Sequence, residues 1–255
     1  MSTEGKIPAS LSMVACNEEA RIQECLESAK DFSEIVVVVD ARTSDRTAEI
    51  CRGFGCRVFV EEWKGYGPQN RSALDKCSNE WVFIIDADER IPSETIETIR
   101  ETLSRPAADA YSFPRKNFLH GRWMKHGDWW PDRQVRLIRK SRGSFNAIVH
   151  ARWVTEGRLE ELETPIEHFS FNSYRDMLTT LNNYSGSTAA ELHAKGKRVH
   201  VVAPCLHGAW MFFKIYFLKR GFLDGLDGLV TALLKAGGSF FKYAKLIEIQ
   251  RTTRK

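Results

Sequence analysis

Four short strand-like runs, residues 11–15, 35–39, 57–61 and 81–85, alternate with segments of helical periodicity over 17–30, 44–54, 69–77 and 93–104, and the links between them are short. Strand, helix and strand repeated in this way predict a mostly parallel, doubly wound α/β sheet with helices on both faces. The fourth run is the most constraining. Trp81-Val82-Phe83-Ile84-Ile85 carries no charge, as a central strand buried on both faces requires, and Asp86-Ala87-Asp88-Glu89 follows at once. Open α/β sheets bind ligands beyond the carboxyl ends of their strands. Side chains i and i+2 of an extended segment point the same way, so Asp86 and Asp88 can converge on one hard divalent cation. The competing reading is an acidic turn that caps the helix starting near Pro92.

Two further acidic positions follow predicted strands, Asn17-Glu18-Glu19 after the first and Asp40 after the second. In a parallel sheet all three sites emerge on one edge. A single such carboxylate reads as a helix cap, whereas three on one rim point to a polar ligand. Neither a GxxxxGK[ST] loop nor GxGxxG follows the first strand, so phosphate would be held by metal and side chains instead of a glycine loop.

After residue 104 the rhythm changes. Residues 110–118, 135–139 and 144–152 read as added mixed strands, joined by a loop crowded with aromatic and basic side chains. Residues 174–194 read as a long helix, and two or three helices follow from 208, broken near Gly221 and Gly237-Gly238. Gly65-Tyr66-Gly67-Pro68 reads as a loop. At 255 residues, 43% hydrophobic and 27% charged, the chain suffices for one large α/β domain with a small appendage. Residues 205–255 hold nine Lys/Arg against three Asp/Glu, net +6, which leaves 28 against 30 in residues 1–204, net −2. Basic charge mixed with Trp, Phe, Leu and Tyr suits an anionic membrane surface better than nucleic acid. No run of 18 uncharged apolar residues and no N-terminal signal core is present, and the six cysteines form no CxxC pair. The expectation is a reduced, cytoplasmic protein, peripheral on the inner face of the cytoplasmic membrane.

The order of Asn17-Glu18-Glu19, Val36-Val37-Val38-Val39-Asp40 with Ser44-Asp45-Arg46-Thr47, Trp63-Lys64-Gly65-Tyr66-Gly67-Pro68-Gln69-Asn70 and the 81–89 run resembles the family 2 glycosyltransferases. The resemblance is greatest to the lipopolysaccharide core β-1,4-glucosyltransferase group. It extends over nearly the whole chain, through His120-Gly121-Arg122-Trp123, residues 130–137 and Gly221-Phe222-Leu223-Asp224-Gly225. It implies a GT-A fold with a C-terminal helical extension, in which 1–109 bind a nucleotide sugar, 110–204 bind the acceptor and 205–255 form the tail. The donor would be a nucleotide-diphosphate sugar, a UDP-sugar and glucose first, transferred with inversion to lipopolysaccharide inner core or a related lipid-linked anionic glycan. The cofactor would be Mg²⁺ or Mn²⁺. Asn17, Glu19, Asp40, Lys64, Gln69, Arg71, Asp86 and Asp88 would bind the nucleotide sugar, with Asp86 and Asp88 at the metal. Two positions depart from the family: Arg42 replaces a small residue and would face phosphate or water, and Gln69-Asn70-Arg71 stands for Gln-Lys-Asn, where Arg71 would supply the cation or else point elsewhere on the helix.

An inverting transfer also needs a base for the acceptor hydroxyl. Asp132, beside Trp129, Trp130 and Pro131, is the first candidate and His150 the second, with Asp128, Glu167 and His168 also open. Alternatively Asp132 forms an ion pair with Arg133 or Arg136. His120, Arg122, Trp123, Trp130 and Arg133 would bind the acceptor, their positive charge suiting phosphate or carboxylate, or else offsetting the carboxylates of the cleft. Two other classes fit less well. A sugar-phosphate nucleotidyltransferase needs a basic glycine-rich loop where Asn17-Glu18-Glu19 is acidic, and an inactive sugar-nucleotide-binding membrane scaffold has no need of Asp40, Asp86, Asp88 and Asp132 together.

Overall fold

The computed structural model describes residues 5–146 and 152–252. Its strands are β1 (Ile7–Ala15), β2 (Phe32–Asp40), β3 (Arg57–Glu61), β4 (Trp81–Ile84), β5 (Glu89–Arg90), β6 (Ala110–Leu119), β7 (Arg122–Trp123), β8 (Asp132–Arg139), β9 (Gly143–Phe145), β10 (Trp153–Thr155), β11 (Leu159–Glu161) and β12 (Ile166–Phe171). The α-helices are α1 (Ile22–Ser28), α2 (Thr47–Gly53), α3 (Tyr66–Asp75), α4 (Ser93–Ser104), α5 (Tyr174–Ala194), α6 (Ala203–Phe213) and α7 (Gly225–Thr252). The chain forms two compact units, one of residues 1–115 with 133–168, the other of residues 116–132 with 169–255.

The first unit is built on a sheet ordered β3-β2-β1-β4-β8-β6-β12-β5. β1, β2, β3 and β4 are mutually parallel, and β8 runs antiparallel to β4. Register follows from burial of alternate residues. Val37, Val39, Phe83 and Ile85 enter one core with Ile22, Leu26, Cys51 and Ile99 of α1, α2 and α4. Val36, Val82 and Ile84 enter another with Leu74 of α3 and Trp153. The apolar run of β4 is thus explained by a helix layer on each face. Pairing of Ala15 with Val39, of Asp40 with Glu61 and of Ser12 with Ile84 brings the ends of β1, β2, β3 and β4 out on one edge.

The expected loop at 65–68 is instead the start of α3. Gln69 N–H donates to the Gly65 carbonyl at 3.0 Å, and Pro68 falls in the first turn, where its missing N–H leaves no intrahelical bond unmade. Of the predicted strand at 144–152, residues 144 and 145 fall in β9, which pairs antiparallel with β10, and residues 147–151 lie outside the described residues.

In the second unit α7 packs against both α5 and α6. Gly237 and Gly238 do not break α7. They lie inside it, and a Cβ on either would stand 3.7 or 3.5 Å from the Leu181 side chain, an ordinary contact distance with α5. The break near Gly221 is present as a π-helical turn, Lys214–Leu218, followed by a 3-10 turn, Gly221–Asp224. Gly228 admits no side chain, because a Cβ there would stand 1.8 Å from the Gly221 carbonyl oxygen.

Candidate active site

The rim of the first unit holds three loops that brace one another. Asn17, at φ 56°, accepts the Ser44 N–H on its Oδ1 at 2.8 Å. Glu19 accepts Arg46 N–H at 3.0 Å and the Arg46 guanidinium at 2.8 and 2.6 Å, while its own N–H donates to Asp45. The side-chain atoms of these two candidate residues therefore hold the 44–47 loop in place. Asp40 is fully buried at the end of β2, and Arg42 curls back to donate its backbone N–H at 2.9 Å and its Nε at 3.0 Å to that carboxylate. Arg42 holds the Asp40 carboxyl below the usual carboxylate range. The guanidinium also lies 5.5 Å from the Trp63 ring centroid, so Arg42 faces protein on one side although two-thirds of its side chain is exposed.

Nearby, Lys64 pairs with Glu61 at 3.1 Å and its N–H donates to the Gln69 Oε1 at 3.2 Å. Among the described residues the buried Gln69 amide nitrogen and Thr43 hydroxyl have no hydrogen-bond partner. Arg71 instead points along its helix to Asp75 at 2.8 Å, on an exposed face.

After β4 the two aspartates divide their tasks. Asp86 Oδ2 accepts from Arg136 Nη2 at 2.6 Å, and the same nitrogen binds Glu89, a fully buried carboxylate that Arg115 also reaches at 3.2 Å. Neighbouring protein atoms withhold part of the solvent from Asp86 and oppose its ionisation, but Arg136 and then Arg115 and His168 prevail and hold its carboxyl low, although more than half of the side chain is exposed. Asp88 Oδ2 stands 3.4 Å from His168 Nε2 and 3.7 Å from Arg21 Nη1. Glu18 faces the same charges. Burial, and then the negative charge of Asp88, Asp45 and Asp86, push its carboxyl up to about 7 against the opposing pull of Arg21.

Arg133 and Arg136 are both turned to carboxylates of the first unit, Arg133 to Glu161 at 3.1 Å and Glu163 at 2.5 Å. In the second unit Asp132 Oδ2 accepts from Asn117 Nδ2 at 3.3 Å, and that nitrogen also donates to the Trp129 carbonyl at 2.9 Å. Trp123 and Trp130 meet edge to face at 5.3 Å, with Lys116 and Lys125 5.2 and 4.7 Å from the Trp123 ring centroid. Arg122 is drawn to the Asp224 carbonyl at 3.1 Å and Asp227 at 3.4 Å, and the His120 ring meets Tyr174 edge-on at 4.8 Å. Asp128 pairs with Lys219 at 3.1 Å. His150 lies outside the described residues.

Residues 10–176 match the family described as Glycosyl transferase family 2. The chain belongs to that family. The family 2 chain is 30% identical over 254 residues to the lipopolysaccharide core biosynthesis glycosyltransferase LpsC of Rhizobium meliloti, covering 95% of this chain and 93% of LpsC. It is likewise 30% identical over 253 residues to an uncharacterized glycosyltransferase of Rickettsia bellii, covering 93% of this chain and 85% of the relative. The crystal structure of S. aureus TarS residues 1–349 in complex with UDP is similar over 96% of this chain and 91% of that one, at 17% identity and a TM-score of 0.47. The protein is a glycosyltransferase, and its fold is GT-A.

Three participants in this family 2 rim were not singled out as site residues in the sequence. Glu89 and Arg136 lie within quoted motifs, yet only the fold shows that one guanidinium joins Asp86 to Glu89. Glu18 stood between two candidates, and its signal was the same strand-end position that marked Asn17 and Glu19.

Proposed function

We propose that this family 2 enzyme transfers a sugar, glucose first, from a UDP-sugar to lipopolysaccharide inner core or a related lipid-linked anionic glycan, with inversion at the anomeric carbon. The observation that carries the reading is the single sheet edge that gathers Asp40, Asp86, Asp88 and Glu18, with basic and unpartnered polar groups around them. Asp40, with Arg42 and Trp63 beside it, would take the nucleobase or ribose, and Lys64 and Gln69 would line the same pocket. Asn17 and Glu19 support it by fixing the 44–47 loop, and Arg71 is kept as a more distant contributor of positive charge.

A divalent cation fits the donor set. Asp88 and His168 present an oxygen and a nitrogen 3.4 Å apart, and the Glu18 carboxyl beside them is raised by burial first and then by the negative charge of Asp88, Asp45 and Asp86. Asp88 and His168, with Asp86, would hold Mg²⁺ or Mn²⁺, although no group of three such side chains is already drawn together among the described residues. When bound, the ion neutralises charge on the departing diphosphate. Arg136 keeps Asp86 ionised and oriented meanwhile. Asp132 accepts the proton of the attacking hydroxyl, and Trp123, Trp130, His120 and Arg122 belong to acceptor recognition in this reading. Arg133, bonded to Glu161 and Glu163, supports the strand after Asp132.

The acceptor's lipid anchor accords with the surface of the second unit. Leu206, Trp210, Phe213, Phe217, Leu218, Leu223 and Leu226 are all exposed, with Lys214, Lys219 and Arg220 among them. No described helix is long and apolar enough to cross a membrane. Such a face would lie at the lipid interface with its cations at the headgroups. The direct test of the donor is thermal unfolding with UDP, GDP, ADP and CDP sugars, each with and without Mn²⁺. UDP-glucose with Mn²⁺ is expected to raise the Tm most, and no rise with any nucleotide would overturn the reading.

A further inference from the structure

Arg90 has no part in the transfer chemistry above, yet it meets each chain segment that brings a group to the proposed cation site. Residues 86–89 form a closed turn, in which the Glu89 N–H donates to the Asp86 carbonyl at 3.0 Å and the Asp86 N–H donates to Glu89 Oε2 at 3.1 Å. Ala87 and Asp88 are its central residues. Arg90 Nη1 donates to the Ala87 carbonyl at 3.1 Å, fixing the peptide plane that leads into Asp88, and to the Glu89 carbonyl at 2.8 Å. Its Nη2 donates to the Arg21 carbonyl and to Glu24 Oε2, both at 2.9 Å, and its Nε reaches the same Glu24 oxygen at 3.3 Å. The Arg21 N–H in turn donates to the Glu18 carbonyl at 2.9 Å. The backbone of Arg90 adds a further link, since β5 pairs antiparallel with β12, Arg90 opposite Glu167 and Glu89 opposite His168.

Segments around 18–24, 86–89 and 167–168 thus meet at one residue. The Arg90 side chain is only 11% exposed, and a guanidinium withdrawn from water is costly unless its donors are met. Here the planar fork holds the turn with Nη1 and the start of α1 with Nη2. A lysine cannot divide itself in this way, because its donors radiate from a single nitrogen. Ala87, Glu89 and Arg21 are all bound through their carbonyls, so the guanidinium fixes chain positions. Cys25 Sγ ties α1 to the same turn, 3.6 Å from the Asp86 carbonyl.

We propose that Arg90 is a positioning residue for the divalent cation, setting where Asp88 stands against His168 and the 18–21 turn. This rests on the reading of Asp88 and His168 as cation ligands. Asp88 Oδ2 is 3.4 Å from His168 Nε2 and 3.7 Å from Arg21 Nη1, and both partners belong to segments that Arg90 meets. Groups that orient ligands without touching the ion change its affinity by about 10–100-fold when they are removed.

The experiment measures Mn²⁺ binding to the full chain at saturating UDP, from the EPR signal of free Mn²⁺, with metal-free UDP affinity taken by calorimetry on the same proteins. Arg90→Lys keeps the charge and loses the fork, and Arg90→Met loses both. Each variant is expected to bind Mn²⁺ about tenfold more weakly than the parent, with metal-free UDP affinity unchanged. Parental Mn²⁺ affinity in whichever of the two variants folds would overturn the proposal. An equal loss of metal-free UDP affinity would overturn it too, because that would mark a general structural role. Asp88→Ala separates the two readings. If it binds Mn²⁺ as the parent does, the cation reading fails and the proposal with it, whereas loss of Mn²⁺ there with retention in Arg90→Lys refutes the Arg90 role alone.

Discussion

Arg136 Nη2 donates to Asp86 Oδ2 at 2.6 Å and also binds Glu89, so one guanidinium joins the exposed aspartate after β4 to a carboxylate that has no exposed surface. Arg115 reaches the same Glu89 oxygen at 3.2 Å. Replacing Arg136 by Met leaves Glu89 with less compensation and releases Asp86. Breaking a buried pair by removing one partner costs on the order of 3 kcal/mol. Urea unfolding of Arg136→Met is expected to show a loss of that order, and a loss below about 1 kcal/mol would mean the network is largely solvated.

Glu18 has the opposite character, a carboxyl raised to about 7 from 4.5 by burial and by the negative charge of Asp88. Because the folded state binds this proton more tightly than the unfolded chain, no penalty exists below pH 4.5. Stability then falls as pH rises from 4.5 to 7 and stays lower above that window. Glu18→Gln removes the titration. Its Tm should match the parent near pH 4 and exceed it at pH 8, and parallel Tm curves for the two proteins would show that Glu18 is not the group responsible.

How much of this was legible in the chain depends on whether the physics was local. The parallel core was readable because burial on both faces leaves a run such as Val82-Phe83-Ile84 without charge, and α4 at 93–104 and α5 at 174–194 were readable from periodicity. The start of α3 was not, because Gly65 and Pro68 signal a loop unless one knows that Pro68 falls in the first turn. Continuity of α7 through Gly237-Gly238 was not legible either, because packing of the helix against α5 and α6 is a tertiary matter with no local sign. Asp40, Asp86 and Asp88 were found because they end strands, whereas the Arg136 bridge joins residues 50 apart in sequence. The function of the rim came from a combination of motifs, each weak alone.

Asp40 is fully buried and its carboxyl is held low by Arg42, so it is ionised throughout the neutral range. An ionised acceptor at this point would bind a nucleobase or ribose N–H or O–H strongly. Asp40→Asn should weaken UDP affinity by about tenfold, near 1.4 kcal/mol, by titration calorimetry. Equal affinity in the variant and the parent would move the nucleoside away from β2.

His168 Nε2 at 3.4 Å from Asp88 gives the proposed cation its only nitrogen donor, and an imidazole must be neutral to serve. His168→Ala should reduce the Tm increase produced by UDP with Mn²⁺ while leaving any increase from UDP alone unchanged. Asp88→Ala should abolish the Mn²⁺-dependent part. If both variants respond to Mn²⁺ as the parent does, the cation lies elsewhere.

The apolar face of the second unit makes a prediction independent of the chemistry. Trp210, Phe217 and Leu218 are each about half exposed or more, and nothing in α6 or the π-helical turn covers them. Burial of such side chains in a bilayer interface contributes about 1.5–3 kcal/mol each, and nearby Lys214, Lys219 and Arg220 add attraction to anionic headgroups. The parent should cosediment with vesicles containing anionic phospholipid and bind neutral vesicles much more weakly. Combined Trp210→Glu and Leu218→Glu substitutions should abolish cosedimentation without lowering the UDP-induced Tm increase, because neither residue belongs to the first unit. A parent that stays in the supernatant at low salt, or that forms a dimer dispersed by the same two substitutions, would assign this face to a second copy of the chain instead of lipid.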